Sequence, residues 1–119
     1  MDVNEIKKEL KKTYGSLTRD TGCCSPSCGC GPNVSEKLGY DNTALSSVPD
    51  GADLGLGCGN PTAFASLREG ETILDLGSGA GLDCFIAAQK VGISGRVIGV
   101  DMTPEMIAKA RANAKNGGY

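Results

Sequence analysis

Ile73-Leu74-Asp75-Leu76-Gly77-Ser78-Gly79-Ala80-Gly81-Leu82-Asp83 is the stretch that decides how the chain folds. Its apolar beginning reads as a buried parallel strand. Three glycines spaced two apart follow, and a helix is predicted to start at about Leu82. Glycines let a backbone approach a ligand closely, and a helix start offers free N–H groups and positive dipole charge. A strand, a glycine turn and a helix start, in that order, predict a site for a nucleotide-like cofactor.

The next segment supports this. Arg96-Val97-Ile98-Gly99-Val100-Asp101 reads as a second strand ending in an acid, 20 residues after Gly81. An acid at that place can accept hydrogen bonds from both hydroxyls of a ribose. Asp75 and Asp101 could simply terminate strands, but that explains one acid better than two at this spacing. The glycine run is G-x-G-x-G, whereas the dinucleotide fingerprint is G-x-G-x-x-G. An NAD-dependent oxidoreductase is therefore disfavoured.

Composition narrows the class. The chain has 119 residues, enough for one domain at most. Its net charge of −2 and lack of a basic stripe argue against nucleic acid as the main partner. Lys7-Lys8-Glu9-Leu10-Lys11-Lys12 is mixed in sign and reads as a solvated helix face. The polar start Met1-Asp2-Val3-Asn4-Glu5 is no signal peptide, and no apolar run is long enough to span a membrane. The expected location is cytoplasmic, where thiols stay reduced. Six cysteines then point to soft-ion binding or redox chemistry rather than to a disulfide framework.

Along the chain, Val3, Ile6, Leu10 and Tyr14 recur at helical spacing, which predicts an amphipathic helix over 3–14 ended by Gly15. Packing as a cover is its ordinary role, with Tyr14 able to reach a cofactor. Residues 18–34 read as a Gly/Pro/Ser-rich loop carrying Cys23, Cys24, Cys28 and Cys30. Their spacing is not that of a zinc ribbon, so a tether offering thiolates to a thiophilic ion is preferred, with a structural zinc and incidental cysteines as the alternatives. Asp41 is an N-cap candidate, and Val48-Pro49-Asp50-Gly51 a turn. Cys58 sits between glycines just before Asn60-Pro61, which should open a helix through Leu67. A thiol beside a helix start tends toward a lowered pKa, so Cys58 is the best candidate for a reactive or ligating thiolate. Cys84, in the first turn after the glycines, reads as a small buried apolar residue. Met102 is placed to lie against a base ring. Thr103-Pro104-Glu105 should open a last helix running to about Lys115.

Two strands and a few helices make a small sheet. The expected fold class is α/β, a Rossmann-like doubly wound sheet truncated after its second strand and following helix. Residues 1–70 form a helical, Cys-rich segment in this reading, and residues 71–119 the first half of the cofactor domain.

The Asp75-Leu76-Gly77-Ser78-Gly79-Ala80-Gly81 run resembles motif I of class I S-adenosylmethionine-dependent methyltransferases. With Leu38-Gly39-Tyr40, Val48 to Pro61 (containing Leu56-Gly57-Cys58-Gly59-Asn60-Pro61) and Gly99-Val100-Asp101-Met102-Thr103-Pro104-Glu105-Met106, the chain resembles arsenite methyltransferases over nearly its whole length. The resemblance implies methyl transfer from S-adenosylmethionine to thiolate-held arsenic(III). Arsenic(III) is soft and favours thiolates, and its lone pair can attack without a general base, so the absence of histidine is no obstacle. The substrate would be arsenite or its thiol conjugates, with a thiol reductant such as thioredoxin or glutathione as partner. By resemblance, Cys58 is an arsenic ligand, and Cys23 or Cys24 is a cysteine of the catalytic cycle. Asp75, Gly77, Ser78, Gly79, Gly81, Asp101 and Met102 are cofactor-contacting. The family's other arsenic-ligating cysteines have no counterpart here, which implies weak or no methyl transfer by these 119 residues alone. The alternatives are a class I methyltransferase for another small molecule, indifferent to Cys58, and a non-catalytic module binding a thiophilic ion or the cofactor.

Overall fold

The computed structural model describes residues 2–18, 34–55, 60–61 and 65–119. Cys23, Cys24, Cys28, Cys30 and Cys58 lie outside the described residues.

The N-terminal helix α1 spans Val3–Leu17, and the Glu5 carboxylate accepts the backbone N–H of Asp2 at 2.9 Å to cap it. It does not stop at Gly15 as the sequence suggested. Gly15 is buried against Glu105, whose carboxyl carbon would stand 2.9 Å from an added Cβ. The expected packed cover forms only in part: Gly15 is buried against the last helix, whereas Val3, Ile6 and Leu10 remain exposed.

Two short helices follow, α2 (Val34–Lys37) and α3 (Asn42–Ser47). The Asp41 side chain accepts the N–H of Thr43 at 3.2 Å, the N-cap expected of it. The turn after Val48 closes with the Ala52 N–H donating to the Pro49 carbonyl. Asn60 is buried, and its side-chain amide donates to the Gly39 carbonyl. A helical bond runs from the Ala65 N–H to the Pro61 carbonyl, but residues 66–68 are irregular, so no helix reaches Leu67.

The centre of the fold is β1 (Thr72–Leu76), α4 (Leu82–Val91) and β2 (Arg96–Val100). The strands pair in parallel, Thr72 opposite Arg96 through Leu76 opposite Val100. Gly95 is required at the return: an added Cβ would lie 2.4 Å from that of Val91, which is 1% exposed. Phe85, Ile86, Ala87 and Val91 of α4 form the core with Met106, Ala80, Ala52 and Tyr40. The last helix, α5, spans Pro104–Gly117. α4 packs on both strands, whereas Leu74, Leu76, Ile98 and Val100, sharing the other face, stay exposed. The sheet is therefore covered on one side by the described residues.

Candidate functional site

The cofactor-type cleft forms where β1 runs into α4. The N–H groups of Gly77 and Ser78 both donate to the Val100 carbonyl, at 2.7 and 3.0 Å, so the glycine turn stays tied to β2 beyond the end of the ladder. Gly81 N–H then donates to the Ser78 carbonyl, and Phe85 N–H to the Gly81 carbonyl begins α4. All three glycines have positive φ: +76° at Gly77, +54° at Gly79 and +101° at Gly81. Their roles differ. A Cβ at Gly77 or Gly79 would meet nothing within 4 Å, whereas one at Gly81 would sit 2.7 Å from the Phe85 ring. Gly81 is a packing glycine, and Gly77 and Gly79 leave a bare cradle open to the cleft.

Asp101 locks that cradle. One of its carboxylate oxygens accepts the Gly79 N–H at 2.9 Å, and the other accepts the Thr103 N–H at 2.9 Å. Each oxygen keeps a further lone pair, so the carboxylate can still accept two hydroxyls. Asn113 of α5, 4% exposed, donates to the Ala80 carbonyl at 3.1 Å and holds the turn from behind.

The cleft has a volume of about 700 Å³, within the range of small-molecule sites. Its walls include the sequence-identified Asp75, Gly77, Ser78, Gly79, Asp101 and Met102, together with Tyr14, Tyr40, Asp53 and Asp83. Gly81 does not line it. Met102 is about half exposed at the rim. Four of the lining side chains are carboxylates, and none of the described lining residues is Lys or Arg.

Burial raises the carboxyl of Asp75, and the charge of Asp101 adds to the rise against a lowering hydrogen bond from Cys84. Burial also raises Asp83, helped by the charges of Asp75 and Asp53 and opposed by the bond from Tyr40. The Tyr40 hydroxyl donates to Asp83 at 2.6 Å. Burial and that carboxylate push the Tyr40 hydroxyl well above its usual range. These are carboxylates short of positive charge, in a cleft whose described lining residues provide none.

Cys84 is not the buried apolar residue its position suggested. It is half-buried, and its thiol donates to Asp75 at 3.3 Å. Burial and the Asp75 charge push the thiol up to about 12, so it is held as a thiol. Among the described residues no three His, Cys, Asp or Glu side chains gather to hold a metal ion. No helix among them is long and apolar enough to cross a membrane.

Asp83 carries one local signal, an acid in the first turn after the glycines, but its partner and that of Asn113 are distant in sequence. Tyr40 was not within reach of the sequence, because its partner lies 43 residues away.

Residues 67–119 match the Methyltransferase domain family model. The chain is 67% identical over 101 residues to an arsenite methyltransferase of Halobacterium salinarum, covering 84% of this chain and 25% of that protein. It is 36% identical over 109 residues to an arsenite methyltransferase of Aquipseudomonas alcaligenes, covering 91% of this chain and 30% of that protein. A solved arsenic(III) S-adenosylmethionine methyltransferase from Chlamydomonas reinhardtii is 37% identical, with 70% of this chain and 25% of that one covered, at a TM-score of 0.46. The chain spans roughly a quarter to a third of the length of these curated relatives.

Proposed function

We propose that this chain, a homologue of arsenite methyltransferases whose βαβ unit has the class I methyltransferase fold, is the S-adenosylmethionine-binding portion of such an enzyme. The observation that carries the reading is the cleft itself: a bare glycine cradle inside walls that offer four carboxylates and no described Lys or Arg. A pyrophosphate cofactor would bring negative charge into that field. S-adenosylmethionine brings a nucleoside for the cradle and two positive groups for the acids. When bound, it supplies a methyl group on a positively charged sulfur.

The residues divide the work. Gly77 and Gly79 admit the ligand against the backbone, and Asp101 accepts the ribose hydroxyls while keeping Gly79 in place. Met102 borders the base. Asp75 and Asp83 compensate the cationic groups, and Tyr40 holds Asp83 toward them. The substrate is arsenite or a thiol conjugate of it, held by the Cys58 thiolate with Cys23 or Cys24 taking part in the cycle. A thiol reductant such as thioredoxin or glutathione regenerates these thiols in a cytoplasmic setting. Soft arsenic(III) and thiolate are matched ligands, which suits a chain with six cysteines and no histidine.

An amide-resolved NMR titration tests this. S-adenosylmethionine should shift Gly77 to Gly81 and Asp101, while NAD and ATP should not. Arsenite should shift the amides around Cys58, and Cys58→Ser should abolish that response. Tighter binding of ATP or NAD than of S-adenosylmethionine would overturn the cofactor assignment. An unchanged arsenite response in Cys58→Ser would overturn the substrate assignment.

A further inference from the structure

α1 carries an arrangement that the cofactor site does not by itself explain. The helix runs through Gly15 to Leu17 although glycine is a poor helix residue. Gly15 is also the one buried residue of α1, while Val3, Ile6 and Leu10 face solvent. The bare glycine lets the Glu105 carboxylate approach closely. An added Cβ would stand 2.9 Å from the carboxyl carbon and 3.0 Å from a carboxylate oxygen of Glu105, in the first turn of α5. Glu105 lies three residues past Met102, on the Asp101 side of the cleft. The residue beside this seat is Tyr14, whose ring lines the cleft with Asp101 and Met102 while staying partly exposed.

We propose that Tyr14 is a positioning residue for the cofactor. Its ring closes the cleft over the adenosine half, and the bare Gly15 seat on Glu105 sets it there. The inference rests on the cofactor reading above. Stacking explains an aromatic at this place: a purine offers a flat face, and a half-exposed ring has little else to cover it. It also accounts for a glycine at the contact point of a helix with little other burial, since a side chain at residue 15 would have to displace the Glu105 carboxylate.

The test measures S-adenosylmethionine binding to the 119-residue chain by calorimetry. Tyr14→Ala should raise Kd about tenfold and Tyr14→Phe by no more than about twofold, since the ring and not the hydroxyl acts. Gly15→Ala should weaken binding with Tyr14 intact, and Gly15→Ala combined with Glu105→Ala should recover it by removing the obstruction. The chain has no tryptophan, so Tyr14→Trp supplies a single reporter whose emission should change on saturation with cofactor. If the unaltered chain binds no S-adenosylmethionine, the cofactor reading fails. If it binds, but Tyr14→Ala binds equally well or the Tyr14→Trp emission ignores the ligand, the assignment of Tyr14 is wrong. A Gly15→Ala chain not rescued by Glu105→Ala would overturn the seat.

Discussion

The glycine turn lets two substitutions two residues apart be told apart by different assays. At Gly79, φ is +54°, inside the left-handed basin, and an added Cβ meets nothing within 4 Å. A side chain there costs about 1–2 kcal/mol of backbone energy. Loss of glycine's freedom in the unfolded chain returns about 0.4–1 kcal/mol. Gly79→Ala should therefore leave stability within about 1.5 kcal/mol of the unaltered chain, and its backbone N–H can still donate to Asp101. The methyl, however, occupies the cradle. S-adenosylmethionine affinity should fall at least about tenfold, or 1.4 kcal/mol. At Gly81 the order reverses. Its φ of +101° lies outside the left-handed basin, and the Cβ would stand 2.7 Å from the Phe85 ring. Phe85 is 5% exposed and packs on Tyr119 at a centroid distance of 4.8 Å, so its ring is confined by the core. Backbone strain of about 1–3 kcal/mol adds to an overpacking cost of about 1–3 kcal/mol, roughly 2–6 in all. Urea unfolding followed by circular dichroism gives the stabilities, and calorimetry gives the affinities. The reasoning is refuted if Gly81→Ala is as stable as the unaltered chain, or if Gly79→Ala binds the cofactor undiminished.

Other outcomes follow from the same geometry. Asp75 and Asp83 have folded pKa values raised above the ordinary 3.8, so the stability they contribute is full below that value and lost as pH rises through the raised values. Going from pH 7 toward pH 4, the Asp75→Asn/Asp83→Asn variant should gain less stability than the unaltered chain, and parallel curves would contradict this. Ile86→Ala, at a site 3% exposed, should cost about 2–5 kcal/mol. Leu74→Ala, at a strand position 59% exposed, should cost less than about 1 kcal/mol despite its apolar character. Comparable losses in the two variants would show that the outer sheet face is covered in solution. Cys84, with its thiol pushed up to about 12, should alkylate with iodoacetamide at pH 8 far more slowly than a free cysteine peptide, and Asp75→Asn should speed it. Peptide mapping by mass spectrometry reads the difference.

The sequence by itself determined the elements of the βαβ unit and the place of the cleft. The elements of residues 72–119 read correctly because each signal there is local: an apolar run, positive-φ glycines, an N-terminal Pro104 and a return turn all act within a few residues. Asp75, Gly77, Ser78, Gly79, Asp101 and Met102 line one cleft for the same reason, since a parallel strand pair brings the ends of β1 and β2 together. Tertiary structure alone decided the rest. Gly15 reads as a helix stop, yet the helix runs on to Leu17 and the glycine is buried against Glu105, 90 residues away in sequence. Gly81 belongs to the motif, yet it serves Phe85 and not the cleft. Tyr40, Asp83 and Asn113 acquire their roles from partners on other elements, at separations no periodicity records. The acidity of the cleft is likewise a property of the assembled walls: the carboxylates are scattered between residues 53 and 101, and folding gathers them and partly desolvates Asp75 and Asp83.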